Sequence, residues 1–201
     1  MTTAAPKLLL GIDSATEYLA LSLVQAPAGR ANTEPYGGAE VARLVTHLER
    51  DHAARMLELL EELLQLAGAK GTDVAAVGVG VGPGSYTGVR IGVATAVALG
   101  RAWHVPVGGS SSLLALLGAE LQPGQRGVAL LDARKGNVYA LAGQRLAGQH
   151  PTFEPVGVPV KLPRTEVPSR FPGLPVFEGS PDAAVLARRA LAGGPLEPWY
   201  L

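Results

Sequence analysis

The sequence contains no cysteine, which excludes a disulfide framework and a thiolate zinc site. It has no excess of either charge: 17 Lys and Arg stand against 17 Asp and Glu. A protein that holds nucleic acid through its own field should be basic, so nucleic-acid binding by the chain alone is not expected. No apolar run suits a membrane. Ile91 to Gly100 is fenced to ten residues by Arg90 and Arg101, and a span requires about 20. The first residues, Met1 to Lys7, lack a basic stretch followed by an apolar signal core, so a cytoplasmic location is expected. There is no His-Glu-x-x-His motif. The histidines are His47, His52, His104 and His150. His47 and His52 would sit about 140° apart on a helix and cannot share a metal from one face. No metal site is expected, and a metallopeptidase is the weakest functional reading.

Hydrophobic content of 47% with 17% charged residues describes a well-buried globular chain, and 201 residues allow one domain or two small lobes. Val74 to Gly92 organises it. Val74 to Val81 is apolar and reads as a strand buried on both faces. Gly78, Gly80 and Gly82 alternate with valines, so another backbone or a ligand should approach one face. Gly82-Pro83-Gly84-Ser85 suits a type II turn, and Ser85 or Thr87 can cap the helix that follows. Such a helix start can bind an anion, or it can be a packed strand-to-helix connection. The specific phosphate signatures are missing. Walker A needs Gly-Lys-Ser/Thr where Gly88-Val89-Arg90 stands, and the dinucleotide pattern lacks its third glycine.

Residues 7–24 read as a β-hairpin, Pro27 to Gly38 as a loop, and Glu40 to Leu48 as a strand in preference to a helix. Asp51 should cap a helix from His52 to Ala67. Met56, Leu60, Leu63, Leu64 and Ala67 lie on one side of it, with Leu57 and Leu66 at the flanks. The apolar arc is about 180° wide, where a surface helix needs about 100°. That helix is either sunk in its own domain or divided between its sheet and a partner. A second helix, about Gly88 to Trp103, carries Gly84, Gly88, Gly92, Ala96 and Gly100 every four residues. The stripe suits tight internal packing or a partner's helix.

A second half begins near Val105. Ser110 or Ser111 should cap a helix from Leu113 to Glu120. Gly127 to Leu131, a polar turn, and Asn137 to Ala142 repeat the opening pattern of a strand ending in Asp followed by a Tyr-bearing return strand. From Leu146 to Pro175 one strand is expected near Val156 to Leu162, with irregular structure around it. Pro175 to Glu178 reads as a strand. Pro181 to Leu191 reads as a helix with Asp182 in its first turn and Arg188-Arg189 in its last.

Gly11-Ile12-Asp13-Ser14, the run from Gly82 to Gly92, and Leu131-Asp132-Ala133-Arg134 with Val138-Tyr139 together resemble the bacterial TsaB (YeaZ) family of the actin-like, sugar-kinase-like superfamily. The resemblance implies an α/β, two-lobed actin-like (ribonuclease-H-like) fold, each lobe a mixed sheet with flanking helices. The lobes are expected at 1–105 and 106–201. It implies a catalytically silent subunit of the tRNA threonylcarbamoyladenosine modification complex, scaffolding a TsaD-like catalytic paralogue and joined by a TsaE-like ATPase. Alone it would form a homodimer, and tRNA would be met only through the complex. The helices at 52–67 and 88–100 are the expected partner surface, through Met56, Leu60, Leu63, Leu64, Gly88, Gly92 and Ala96. Leu60→Glu or Gly92→Trp should then break the complex and leave a folded chain.

No cofactor is expected beyond weak ATP or ADP at a partner interface. Asp13, Ser14, Thr16, Gly82, Gly84 and Asp132 stand where actin-like enzymes hold magnesium and phosphates, and are read as vestigial. The rival is an active small-molecule kinase or ATPase on the same fold. Family members often continue past a Pro-x-Tyr ending, so the stretch up to Tyr200-Leu201 is expected to differ in partner contacts.

Overall fold

The computed structural model describes residues 7–26, 38–48, 51–118, 120–147 and 153–199. All of the expected loop at 27–38 except Gly38 lies outside these residues, as do His150, Tyr200 and Leu201.

Two mixed sheets form. The first runs in the order β3 (Glu40–His47), β2 (Tyr18–Gln25), β1 (Leu8–Asp13), β4 (Val74–Gly80), β5 (Val107–Ser110). β1 and β2 are the expected hairpin, with Leu10 opposite Leu23 and Asp13 opposite Ala20. β4 and β5 join in parallel. The second sheet runs β10 (Val176–Phe177), β6 (Arg126–Asp132), β7 (Asn137–Arg145), β8 (Phe153–Pro155), with β9 (Val160–Pro163) also paired to β7. The expected lobe boundary at 105/106 falls just ahead of β5, which is still an edge of the first sheet. The change of sheet comes after Ser110.

β1 and β4 are continuous apolar runs because both of their faces are covered. On one face lie α1 (His52–Leu66) and α2 (Tyr86–Trp103). They close a core of Leu10, Ile12, Leu21, Leu23, Val77 and Val79 with Met56, Leu60, Leu63 and Ala96. On the other face lies α5 (Ala183–Arg189), packed through Ala184 and Ala187 on Leu9, Val24 and Ala76. Gly11, Gly78 and Gly108 sit side by side across β1, β4 and β5, and the α5 backbone lies directly on this row. A Cβ at Gly11 would fall on the Ala183 carbonyl oxygen, one at Gly78 on that of Leu186, and one at Gly108 would stand 2.6 Å from that of Ala190. The backbone expected to approach the glycine face of β4 is therefore α5, from the far end of the chain. α5 also sends Val185 and Leu186 into the second lobe's core, with Leu113, Leu117, Leu131, Leu141 and Phe153.

Several local expectations change. Asp51 precedes α1 but its side chain makes no capping bond, and its backbone is not extended (ψ 24°). α2 starts at Tyr86, capped by Ser85, whose Oγ accepts from Gly88 N at 3.2 Å. The Gly82–Pro83 peptide is cis, and the positive φ falls on Gly82 (95°) instead of Gly84. A type II turn with Pro83 second and Gly84 third is therefore not formed. Gly84 is small because Ala15 presses on it. α3 is shorter than expected, Ser112–Leu117, with Ser111 as its cap. Asp182 is the N-cap of α5, accepting from Ala184 N at 2.9 Å, and not a first-turn residue. In the proline-rich segment the one expected strand, near Val156 to Leu162, forms as β9 at its C-terminal end, and β8 and a short helix α4 (Val167–Arg170) add order that was not expected. Among the described residues no helix is long and apolar enough to cross a membrane.

Candidate functional site

Two Asp-ended strands, β1 and β6, bring their turns to a cleft of about 680 Å³ between the lobes. One wall is Ala15, Thr16 and Glu17 after β1, with Gly84 to Gly88 and Ile91 at the start of α2. The other is Leu130 to Arg134 and Tyr139, with Arg164 and Glu178 also in the lining. Arg164 Nη2 donates to Glu178 Oε2 at 3.1 Å, a second bond joins Nη1 and Oε1, and this hydrogen bonding pushes the Arg164 pKa up. Tyr86, beside the cleft, is covered by the Arg90 guanidinium at 3.9 Å from its ring centre.

The six expected nucleotide-site residues divide. Thr16, Gly84 and Asp132 line the cleft. Thr16 Oγ1 accepts from Tyr18 N at 3.1 Å. Asp132 accepts from Arg134 N at 3.0 Å and pairs with the Arg134 guanidinium at 3.6 Å. Asp13, Ser14 and Gly82 do not line it. Ser14 is buried and donates to Gly88 O at 2.8 Å, so its hydroxyl braces α2 and is not presented to a phosphate. Gly82 is buried against the carbonyl of Trp199, and Trp199 N in turn donates to Val81 O at 2.8 Å.

Asp13 is fully buried. Its Oδ1 accepts from Ala15 N at 2.9 Å. Its Oδ2 points into the notch left by the missing side chain of Gly80, facing Ser112 Oγ, and neither Oδ2 nor the Ser112 hydroxyl completes a hydrogen bond of normal geometry. Burial pushes the carboxyl up from 3.8 to about 6, and Ser112 and the Ala15 N–H only partly oppose this. Asp13 and Asp132 are thus differently placed. One is sealed between β4 and α3, and the other is exposed and already paired. Among the described residues no group of three or more His, Asp or Glu side chains is placed to hold a metal ion.

The expected partner surface needs correction. Met56, Leu60, Leu63, Gly88, Gly92 and Ala96 are buried in the chain's own fold, and Leu64 is half-buried. The glycine stripe of α2 admits Ser14: its carbonyl at Gly88 and its hydroxyl, 2.5 Å from a Cβ, at Gly92. Leu60→Glu and Gly92→Trp would therefore strike the core. The exposed apolar side chains of these helices are Leu57 (64% exposed), Leu66 (62%) and Tyr86 (54%). Ala94 and Ala98 are exposed on α2. Sequence reasoning did not find Arg164 and Glu178. They lie 14 positions apart in the proline-rich stretch, with no local spacing to mark them as a pair.

The model of the family described as "TsaD: tRNA N6-adenosine threonylcarbamoyltransferase" matches residues 41–156, more than half of the chain. The chain belongs to this family. Among its relatives is the protein of Escherichia coli K12 named tRNA threonylcarbamoyladenosine biosynthesis protein TsaB. It is 34% identical over 139 residues, 68% of this chain and 55% of that protein. The Bacillus subtilis 168 protein of the same name is 31% identical over 131 residues, 65% of this chain and 52% of that one. The chain thus spans about half the length of these relatives. The solved structure of YeaZ from Pseudomonas aeruginosa superposes with a TM-score of 0.74 at 28% identity, covering 97% of this chain and 100% of that one. The two mixed sheets with flanking helices are accordingly the actin-like fold of the TsaB/YeaZ branch.

Proposed function

We propose that this chain is a non-catalytic subunit of the tRNA threonylcarbamoyladenosine machinery, scaffolding a TsaD-like catalytic paralogue. The similarity to proteins named for this biosynthesis carries the reading. The state of Asp13 supports its catalytic silence: a carboxyl sealed behind Gly80 and Ser112 cannot reach a ligand in the cleft. TsaD-like partner, TsaE-like ATPase, homodimer in isolation and tRNA contact only within the complex belong to the same proposal, as does a cytoplasmic location.

The partner surface we propose is the Leu57 flank of α1 and the outer side of α2, with Ala94 and Ala98. These residues are exposed and apolar or small, and burying them would remove apolar surface the monomer leaves in water. Co-elution of the chain with a TsaD-like paralogue tests the reading, with Leu57→Glu as the interface variant. Failure of the unmodified pair to associate would overturn it.

The cleft favours one rival, an actin-like small-molecule kinase or ATPase. It has room for a ligand and ends at a helix N-terminus. Steady nucleotide turnover by the pure chain, lost in Asp132→Asn, would favour that rival.

A further inference from the structure

Among the described residues each sheet has two edges, and three of the four are short or covered. β5 is crossed by the tail, where Gly109 N donates to Gly194 O at 3.1 Å. The second sheet is bordered by β10, of two residues, and on its other side by β8 and β9, of three and four. Short or covered edges offer little to a foreign strand. β3 differs. It is eight residues long, and no described strand pairs with its outer side.

The backbone on that side is readable from one bond. Leu48 N donates to Glu17 O at 2.7 Å, and in the same register Thr46 faces Leu19 and Leu44 faces Leu21. Antiparallel pairs alternate, so Leu48, Thr46, Leu44 and Ala42 turn their N–H and C=O groups inward to β2. Arg43, Val45 and His47 turn theirs outward. The side chains of these three share one face, and all are exposed, Val45 by 40%. Ala42 and Leu44, on the other face, pack on the core under α1. From Ala42 to Leu48 there is no proline and no lysine to blunt the edge. The one register irregularity of β3 lies beyond this stretch, at Val41.

The Arg43 side chain makes no hydrogen bond among the described residues. Its ion pair with Asp182 is 3.8 Å long, and Asp182 already accepts from Ala184 N. The nearby Glu40 accepts from Ser22 Oγ. The donors of the Arg43 guanidinium are therefore open to an incoming carboxylate.

We propose that the outer edge of β3, from Arg43 to His47, receives an extended segment of a partner protein as an added strand, with a carboxylate on Arg43 and an apolar side chain beside Val45. Strand addition draws affinity from main-chain bonds and specificity from alternate side chains. A second copy of this chain fits less well. Antiparallel pairing of β3 with itself brings Arg43, Val45 or His47 opposite Arg43, and none of these is an acid.

The test is fluorescence anisotropy of a labelled peptide, Thr-Glu-Thr-Val-Thr-Glu-Thr, whose symmetrical sequence suits either strand direction. The full chain should bind it saturably. Val45→Pro removes an outward N–H and no bond to β2, so it should keep a cooperative melt and lose the peptide. Arg43→Glu should bind it several-fold more weakly and should prefer the peptide with lysine in place of both glutamates. No saturable binding by the parent, or equal binding by a folded Val45→Pro, overturns the proposal. If Val45→Pro fails to fold, the charge exchange decides, and no preference of Arg43→Glu for the lysine peptide overturns it. Sedimentation of the chain alone checks the other occupant: a dimer of the parent that is lost in Arg43→Glu assigns the edge to a second copy and overturns the partner strand.

Discussion

Replacing Asp13 by Asn tests the buried carboxyl directly. Its pKa is about 6 in the fold against 3.8 for a free side chain, so between these values the folded state holds a proton that the unfolded chain releases. Stability from this group therefore falls as pH rises from about 4 to about 6, and stays low above that. At 1.36 kcal/mol per pH unit the loss is about 3 kcal/mol. Asn keeps the oxygen that accepts from Ala15 N and offers an N–H toward Ser112 Oγ, without a charge to desolvate. The variant should match the parent near pH 4 and exceed it by up to about 3 kcal/mol at pH 7.5, or about 6–12 °C in Tm for a chain of this size. Urea titrations at pH 4.5, 6 and 7.5 on both proteins measure the difference, and taking the difference cancels the other carboxylates. A variant less stable than the parent at pH 7.5, or a gap that does not widen with pH, would refute the argument and show that ionised Asp13 is held by a partner such as a cation.

Leu57→Glu should leave stability within about 0.5 kcal/mol of the parent while abolishing co-elution with the TsaD-like partner; circular dichroism melts and size exclusion read the two effects. Leu60→Glu places a charge in the core and should cost several kcal/mol, seen as loss of the cooperative melt. Gly78→Ala puts a methyl group against the α5 backbone and should cost about 2–3 kcal/mol, whereas Gly124→Ala, which meets nothing nearby but has φ 81°, should cost about 1 kcal/mol; urea midpoints compare them. Arg164→Ala breaks an ion pair whose side chains are about half exposed, so it should change stability by less than about 1 kcal/mol, measured by the same titrations.

How much of this was legible in the sequence varied with the range of the contacts involved. Val74 to Gly80 declared itself a buried strand because β-branched residues with no charge have little alternative. The Asp-ended hairpins at Asp13 and Asp132 were readable from alternation and turn chemistry. What each glycine admits was not readable. Gly78 is filled by Leu186, Gly92 by Ser14 and Gly82 by Trp199, all more than 60 positions away and identified only by the folded chain. Within the proline-rich segment the strand expected near Val156 to Leu162 is β9, shifted toward Pro163, whereas β8 and α4 were hidden because elements of three or four residues depend on tertiary contacts, β8 on pairing with β7 and α4 on burying Val167, more than on local propensity. The candidate site suffered in the same way. The turns that frame the cleft were visible, but the sealing of Asp13 and the pairing of Arg164 with Glu178 are tertiary facts.

The same distinction governs α1. Its apolar arc, about 180° wide, left open a helix sunk in its own domain and one divided between its sheet and a partner, and the centre of the arc belongs to the sheet. Met56, Leu59, Leu60 and Leu63 occupy that centre and are consumed by the sheet beneath. A helix that serves its own core and a partner must bury its central stripe first, because the monomer has to fold before it can dock. Whatever remains lies on the flanks. Leu57 and Leu66 are nine positions apart, about 180° around the axis, and border the buried stripe on opposite sides. One partner seated squarely on the helix would bury the acidic ridge of Glu58, Glu61 and Glu62 that runs between them, leaving carboxylates to desolvate. A partner lying along one flank, against α2, avoids that cost. Glutamate should therefore abolish association at Leu57 and leave it nearly intact at Leu66.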